Sequence, residues 1–175
     1  IYTFRLKRVV LLDTFVLATL YSLRVVAGGT VVDIAPSFWL LATSGFLFLS
    51  LAFGKRFAEI SVSRDLGRTT LPGRAYQVGD APVILAFGVS AAFMSVLVLA
   101  LYVNSDAVTV LYRTPLAIWG TVPVLLLWIT SIWFRLWRGE VSDDPVLFAI
   151  RDRVSLICGL LVVALVVVGA EGWML

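Results

Sequence analysis

A chain of 175 residues with 61% hydrophobic side chains carries more apolar surface than a soluble domain of its size can bury, so the remainder must face lipid. The net charge of +3 is modest, its placement matters more than its sum, and no nucleic-acid partner is expected. Without a single His, an imidazole base, a His metal site and a Ser-His-Asp triad are excluded within the chain, and the lone Cys158 allows no disulfide framework.

A helix needs about 20 residues to cross a hydrocarbon core of about 30 Å. Five stretches qualify, at about 9–31, 37–53, 82–103, 114–134 and 154–173. Membrane-spanning strands would alternate in polarity, and Ala81-Pro82-Val83-Ile84-Leu85-Ala86-Phe87 does not. The fold expected is an all-α polytopic membrane helix bundle with five transmembrane helices. The chain opens at Ile1 already approaching a span, which suggests the C-terminal part of a longer polypeptide.

Ahead of the first span lie Arg5, Lys7 and Arg8, whereas the connection 29–36 holds no Lys or Arg. Lys55, Arg56, Arg64, Arg68 and Arg74 follow the second span, only Arg113 stands in 104–113, and Arg135, Arg138, Arg151 and Arg153 precede the fifth. By the positive-inside rule this alternation puts the N-terminus and the loops 54–81 and 135–153 in the cytoplasm, with the C-terminus outside. Trp39, Trp119 and Trp173 at one level and Trp133 and Trp137 at the other are read as interfacial anchors. Trp128, in mid-span, is expected to pack between helices.

Within the first span, Tyr2, Asp13 and Arg24 recur every eleven residues, which returns to nearly the same helix face. A charge at mid-bilayer costs about 2.5–3.5 kcal/mol, so Asp13 and Arg24 should face a bundle interior or a wet cavity. Either they pair architecturally with neighbouring helices, or they serve a site. After the second span, Lys55, Arg56 and Glu59 sit three and four residues apart and can share one small volume. Helix-dipole compensation and snorkelling explain the cations equally well. The loop that follows mixes Ser, Thr and Arg with Asp65, Tyr76 and Asp80, a set suited to phosphate and to Mg²⁺ held against it. Ser142-Asp143-Asp144-Pro145 reads as a helix start, and Arg151, Asp152 and Arg153 as a surface ion cluster or part of a cavity rim.

The segments Leu23-Arg24-Val25-Val26-Ala27-Gly28-Gly29, Gly54-Lys55-Arg56-Phe57-Ala58-Glu59, Pro72-Gly73-Arg74-Ala75-Tyr76 and Asp144-Pro145-Val146-Leu147-Phe148 resemble, in consistent order, the C-terminal half of the UbiA prenyltransferase superfamily. They are most similar to its decaprenyl-phosphate phosphoribosyltransferase-like branch. The resemblance implies helices five to nine of a nine-helix fold in the plasma membrane of a bacterial-type cell. It also implies transfer of a phosphoribosyl or prenyl group from a Mg²⁺-bound diphosphate donor, with phosphoribosyl diphosphate and a polyprenyl phosphate lipid as the expected pair.

On that reading Asp13, Arg24 and Glu59 are the catalytic residues, and Tyr2, Lys7, Lys55, Arg56, Arg64, Arg74 and Tyr76 bind substrate. Glu59 and Asp65 are the metal ligands within this chain. The family's Asp-rich first-loop element, expected to supply most of the Mg²⁺ binding, does not occur in the 175 residues, and Lys55, Arg56 and Glu59 stand where an Asp-x-x-x-Asp spacing is usual. The piece alone is therefore expected to be inactive. The alternatives are prenyl transfer to an aromatic acceptor, a transporter half, and a non-catalytic membrane scaffold.

Overall fold

In the computed structural model, which describes residues 9–33, 35–141, 148 and 152–171, the chain is helical throughout its spans. The elements are α1 Leu12–Val31, α2 Phe38–Asp65, α3 Ala81–Val103, α4 Asp106–Leu111, α5 Pro115–Trp119, α6 Thr121–Trp137 and α7 Arg153–Glu171. Five helical segments are long and apolar enough to cross a bilayer, with α5 and α6 acting together as one of them. This is the all-α membrane bundle that the hydropathy predicts. Among the described residues there is no strand, only one isolated bridge, between Thr70 and Gln77.

Local chemistry sets the helix ends. Ser37 caps α2 by accepting from the Leu40 N–H at 3.1 Å. At the other end Gly67, at φ 69°, donates to Arg64 O at 2.9 Å while Arg68 donates to Ser63 O at 3.0 Å, the paired bonds of a Schellman stop. Between α5 and α6 the helix breaks at Gly120. Pro123 supplies no N–H for the carbonyl four residues earlier, that of Trp119, and beside it the Thr121 hydroxyl donates to the Ile118 carbonyl at 2.6 Å. The stretch 104–113, expected as a connection, contains the short helix α4.

The second helix is the largest departure from the hydropathy reading. It has 28 residues, about 42 Å, against a hydrocarbon core of about 30 Å, so its last third projects past the apolar layer. Lys55, Arg56, Glu59, Arg64 and Asp65, expected in a loop, all lie on this helix. Helix propensity and the absence of Gly or Pro between Lys55 and Leu66 carry the ladder on after hydrophobicity has ended.

One core joins α2, α3 and α6. Phe53, Phe57, Ile60, Ile84, Ile129, Ile132, Trp133 and Leu136 are all buried in it. Trp133 is its keystone and not the interfacial anchor expected from its place in the sequence: it is 6% exposed, donates Nε1–H to Ser50 Oγ at 3.0 Å, and lies edge-on to Phe57. Trp128 packs between helices as expected, donating to Ser155 Oγ at 2.9 Å. Gly88 makes room for the indole of Trp133, since a Cβ there would stand 2.2 Å from Cη2. Because that ring is fixed by its bond to Ser50, it cannot yield cheaply. Gly88→Ala should therefore destabilise the bundle by about 1–3 kcal/mol, read as an earlier midpoint on titrating the detergent-solubilised protein with a denaturing detergent.

Candidate functional site

At the end of the bundle where α2 overshoots, six polar side chains from three segments form one cluster. Asp13, in the first turn of α1, is fully buried at 0% exposure. Its Oδ2 lies 2.8 Å from Arg56 Nε on α2 and 2.8 Å from an Arg74 terminal nitrogen in the α2–α3 connection. Its Oδ1 accepts the Tyr76 hydroxyl at 2.8 Å, with Thr14 Oγ1 at 3.3 Å. Tyr76 Oη in turn contacts Thr14 Oγ1 at 3.0 Å and accepts the Leu11 N–H at 2.9 Å. Leu11 has φ 72°, a strained conformation for a branched residue, and the Tyr76 hydroxyl satisfies the backbone donor at that kink.

The outer layer of the cluster is Glu59. Its Oε2 accepts from an Arg56 terminal nitrogen at 2.6 Å and lies 3.1 Å from Arg74 Nε, while Oε1 lies 3.5 Å from a second Arg74 nitrogen. The Glu59 side chain is 30% exposed and that of Arg74 16%, against 2% for Arg56. Arg56 Nε is buried and close to Asp13 Oδ2, but its N–H is not aimed at the oxygen, so one donor at the centre is poorly used.

The path by which Arg74 and Tyr76 reach Asp13 is a tight turn. Pro72 and Gly73 occupy its centre, Gly73 has φ 74°, and Arg74 N–H donates to Leu71 O at 3.2 Å, as in a type II turn. Leu71 N–H donates to Tyr76 O at 2.9 Å, closing a small hairpin that folds back onto α1. Asp80 has no place in the cluster: it accepts the Gln77 N–H at 2.8 Å and caps the next helical turn. Burial and the adjacent Asp13 raise the Tyr76 phenol above its ordinary value, against the opposing effect of Thr14, so Tyr76 stays a neutral donor.

Of the residues expected to form the site, Asp13, Arg56, Glu59, Arg74 and Tyr76 are brought together. Lys55 is partly buried on α2, one residue before Arg56. Arg24 is not with them: eleven residues along α1 place it about 16 Å away, exposed, with its guanidinium 5.0 Å from the Tyr21 ring. The stripe argument fails here because it places side chains on a face but ignores their distance along the axis. Arg64 and Asp65 are exposed and pair with each other at 3.6 Å. Tyr2, Lys7, the helix start at 142–145 and Arg151 lie outside the described residues.

The metal expectation does not fit this cluster. Among the described residues no three His, Cys, Asp or Glu side chains converge. Asp13 and Glu59 are both engaged by guanidinium groups that would repel a dication, and Glu59 and Asp65 are six residues, about 9 Å of helix rise, apart. Thr14 was not anticipated from the sequence, although its place beside a buried carboxylate is the usual signal for a satisfying hydroxyl.

A second charged clasp joins α6 to α7. Arg135 pairs with Asp152, which also accepts the Ser155 N–H at 2.9 Å and the Ser155 hydroxyl at 3.1 Å, so Asp152 caps α7 while holding α6. Burial alone would raise the Asp152 carboxyl, but the bonds from Arg135 and Ser155 outweigh it and hold the group below its ordinary value of 3.8.

No protein-family model matches the chain. Over 162 residues, 92% of its length, it is 36% identical to the uncharacterised protein y4nM of Sinorhizobium fredii, of which it covers 31%. It is 33% identical over 161 residues to nodulation protein NoeC of Azorhizobium caulinodans, covering 90% of this chain and 52% of that one. A stretch of 66 residues, 38% of the chain and 21% of the relative, is 36% identical to the decaprenyl-phosphate phosphoribosyltransferase of Mycolicibacterium smegmatis. The chain thus spans 31% of the length of the first of these relatives and 52% of the second.

Two measurements test the clusters. Tyr76→Phe leaves the Leu11 N–H without its acceptor and removes a donor from Asp13, and should lower stability by about 1–3 kcal/mol in the same detergent titration. Because the Asp152 carboxyl is held low in the folded protein, the stability it contributes is complete above its ordinary value and is lost as pH falls through the folded one. Unfolding midpoints should therefore drop as pH falls below about 4, and Asp152→Asn should flatten that slope.

Proposed function

We propose that the chain is part of an integral membrane transferase acting on a diphosphate-bearing donor, and specifically one that moves a phosphoribosyl group to a polyprenyl phosphate. The observation that carries this reading is the convergence of Arg56 and Arg74 on the same carboxylates at the end of an apolar bundle, where a lipid chain can lie among the helices while its phosphate meets guanidinium groups. The partial likeness to a protein named as a decaprenyl-phosphate phosphoribosyltransferase supports the same chemistry. The alternation of basic residues along the chain supports a cytoplasmic position for this end, in the plasma membrane of a bacterium.

In this reading the protein's own residues act by charge and position. Arg74, partly exposed, neutralises the phosphoryl oxygens of the donor, and Arg56 behind it reinforces the field from within the bundle. Asp13 and Tyr76 fix the two guanidinium planes, so that little reorganisation accompanies binding. The remaining parts of the reaction, including any Mg²⁺ on the departing diphosphate, belong to groups other than this cluster.

A second reading is a membrane scaffold without catalysis, favoured by the charge balance of the cluster, in which two guanidiniums meet two carboxylates. The full-length protein distinguishes the two when reconstituted with radiolabelled phosphoribosyl diphosphate and a polyprenyl phosphate. Label should pass into the lipid-extractable fraction, and Arg74→Gln should lower the rate roughly a hundredfold while preserving the helical circular dichroism. Lipid that stays unlabelled with the wild-type protein removes the transferase reading.

A further inference from the structure

The two carboxylates of the cluster are held very differently. Asp13 is sealed at 0% exposure and bound by residues of three segments, whereas Glu59 is 30% exposed in its side chain and, among the described residues, is held by the two guanidiniums. A single change of rotamer would carry Glu59 outward from α2 without moving the backbone. Asp13 has no such exit.

The seat that Glu59 fills has a particular shape. Arg56 and Arg74, from different segments of the chain, approach one oxygen, Glu59 Oε2, at 2.6 Å and 3.1 Å, and a further Arg74 nitrogen reaches Oε1 at 3.5 Å. Two forks aimed at one oxyanion suit a phosphoryl group, whose additional oxygens can take up N–H groups that a planar carboxylate leaves idle. Donors are in surplus: two guanidiniums offer roughly ten N–H groups to the oxygens of two carboxylates. The buried Arg56 Nε has no aligned acceptor.

We propose that Glu59 is an internal stand-in for a substrate phosphate: its carboxylate occupies the seat between Arg56 and Arg74 and is displaced when a phosphoryl group binds there. The inference rests on the transferase reading for its ligand class and adds a built-in competitor to it. Glu59 keeps the buried Arg56 and the partly exposed Arg74 neutralised while the seat holds no phosphate, so that the two like charges do not face each other uncompensated. It also weakens phosphate binding by the energy of its own contacts, so the site favours ligands with enough charge to win the exchange. The phosphoryl group can come from the soluble donor or from the lipid acceptor.

Binding of inorganic pyrophosphate and of farnesyl monophosphate to the full-length protein in detergent, followed by calorimetry, tests the exchange. Glu59→Gln should tighten at least one of them about tenfold, Arg74→Gln should abolish binding, and Arg138→Gln, whose side chain is 66% exposed at the end of α6, should change neither. A gain confined to pyrophosphate assigns the seat to the donor, and one confined to farnesyl monophosphate assigns it to the lipid. No gain with either ligand, or an equal gain from Arg138→Gln, overturns the proposal.

Should Glu59→Gln fail to fold, the unsubstituted protein still decides. Carbodiimide labelling, read by peptide mass spectrometry, should modify Glu59 faster in the presence of the better ligand while Asp13 stays unlabelled, and unchanged or slower labelling of Glu59 overturns the proposal. Displacement of Glu59 without transfer of radiolabel to lipid would sink only the transferase reading. Transfer with Glu59 undisturbed would sink only this inference.

Discussion

A carboxylate placed in the first turn of an apolar helix must find cations or be expelled from the bundle, and Asp13 finds two. That requirement organises one whole end of the molecule. It fixes the rotation of α1 so that Asp13 faces α2, it draws Arg56 into full burial, and it gives the α2–α3 connection a reason to fold back onto the helices. Removing one partner from such a buried set typically costs about 3–5 kcal/mol, because the others are left charged in a poor solvent. The cluster is therefore strongly interdependent: α1, α2 and the hairpin at 71–76 hold together or come apart together.

Much of the architecture was legible in the sequence, because a bilayer imposes one simple rule on length and polarity. The five spans followed from it directly. Hydropathy, however, reports where lipid ends and says nothing of where a helix ends. Residues 54–65 are polar enough to read as loop but contain strong helix formers and no breaker after Gly54, so the backbone ladder continues through them. The reverse happened at Gly120, where uninterrupted apolar character concealed a break caused by Pro123.

The site was partly legible for a related reason. Arg56 and Glu59 are neighbours through helical spacing, which a sequence displays. Arg74 and Tyr76 are more than sixty residues from Asp13, and only the turn at Pro72-Gly73 brings them there. Arg24 illustrates the opposite error, since angular periodicity put it on the face of Asp13 but three turns away. Trp133 was misplaced because its composition suits an interface equally well, and what decides its position is the absent side chain of Gly88 on a different helix.

The uninterrupted length of α2 joins two environments in one rigid rod. Its first half is gripped by hydrocarbon, while its final turns carry Arg56 and Glu59. A membrane that thickens or thins changes the tilt at which such a rod best matches its apolar section, at a cost of fractions of a kcal/mol per ångström of mismatch. Any such tilt swings the far tip against α1. The alignment of the guanidinium forks is thereby exposed to the acyl-chain length of the surrounding lipid, and the composition of the bilayer becomes a tuning variable for the geometry of this charged cluster.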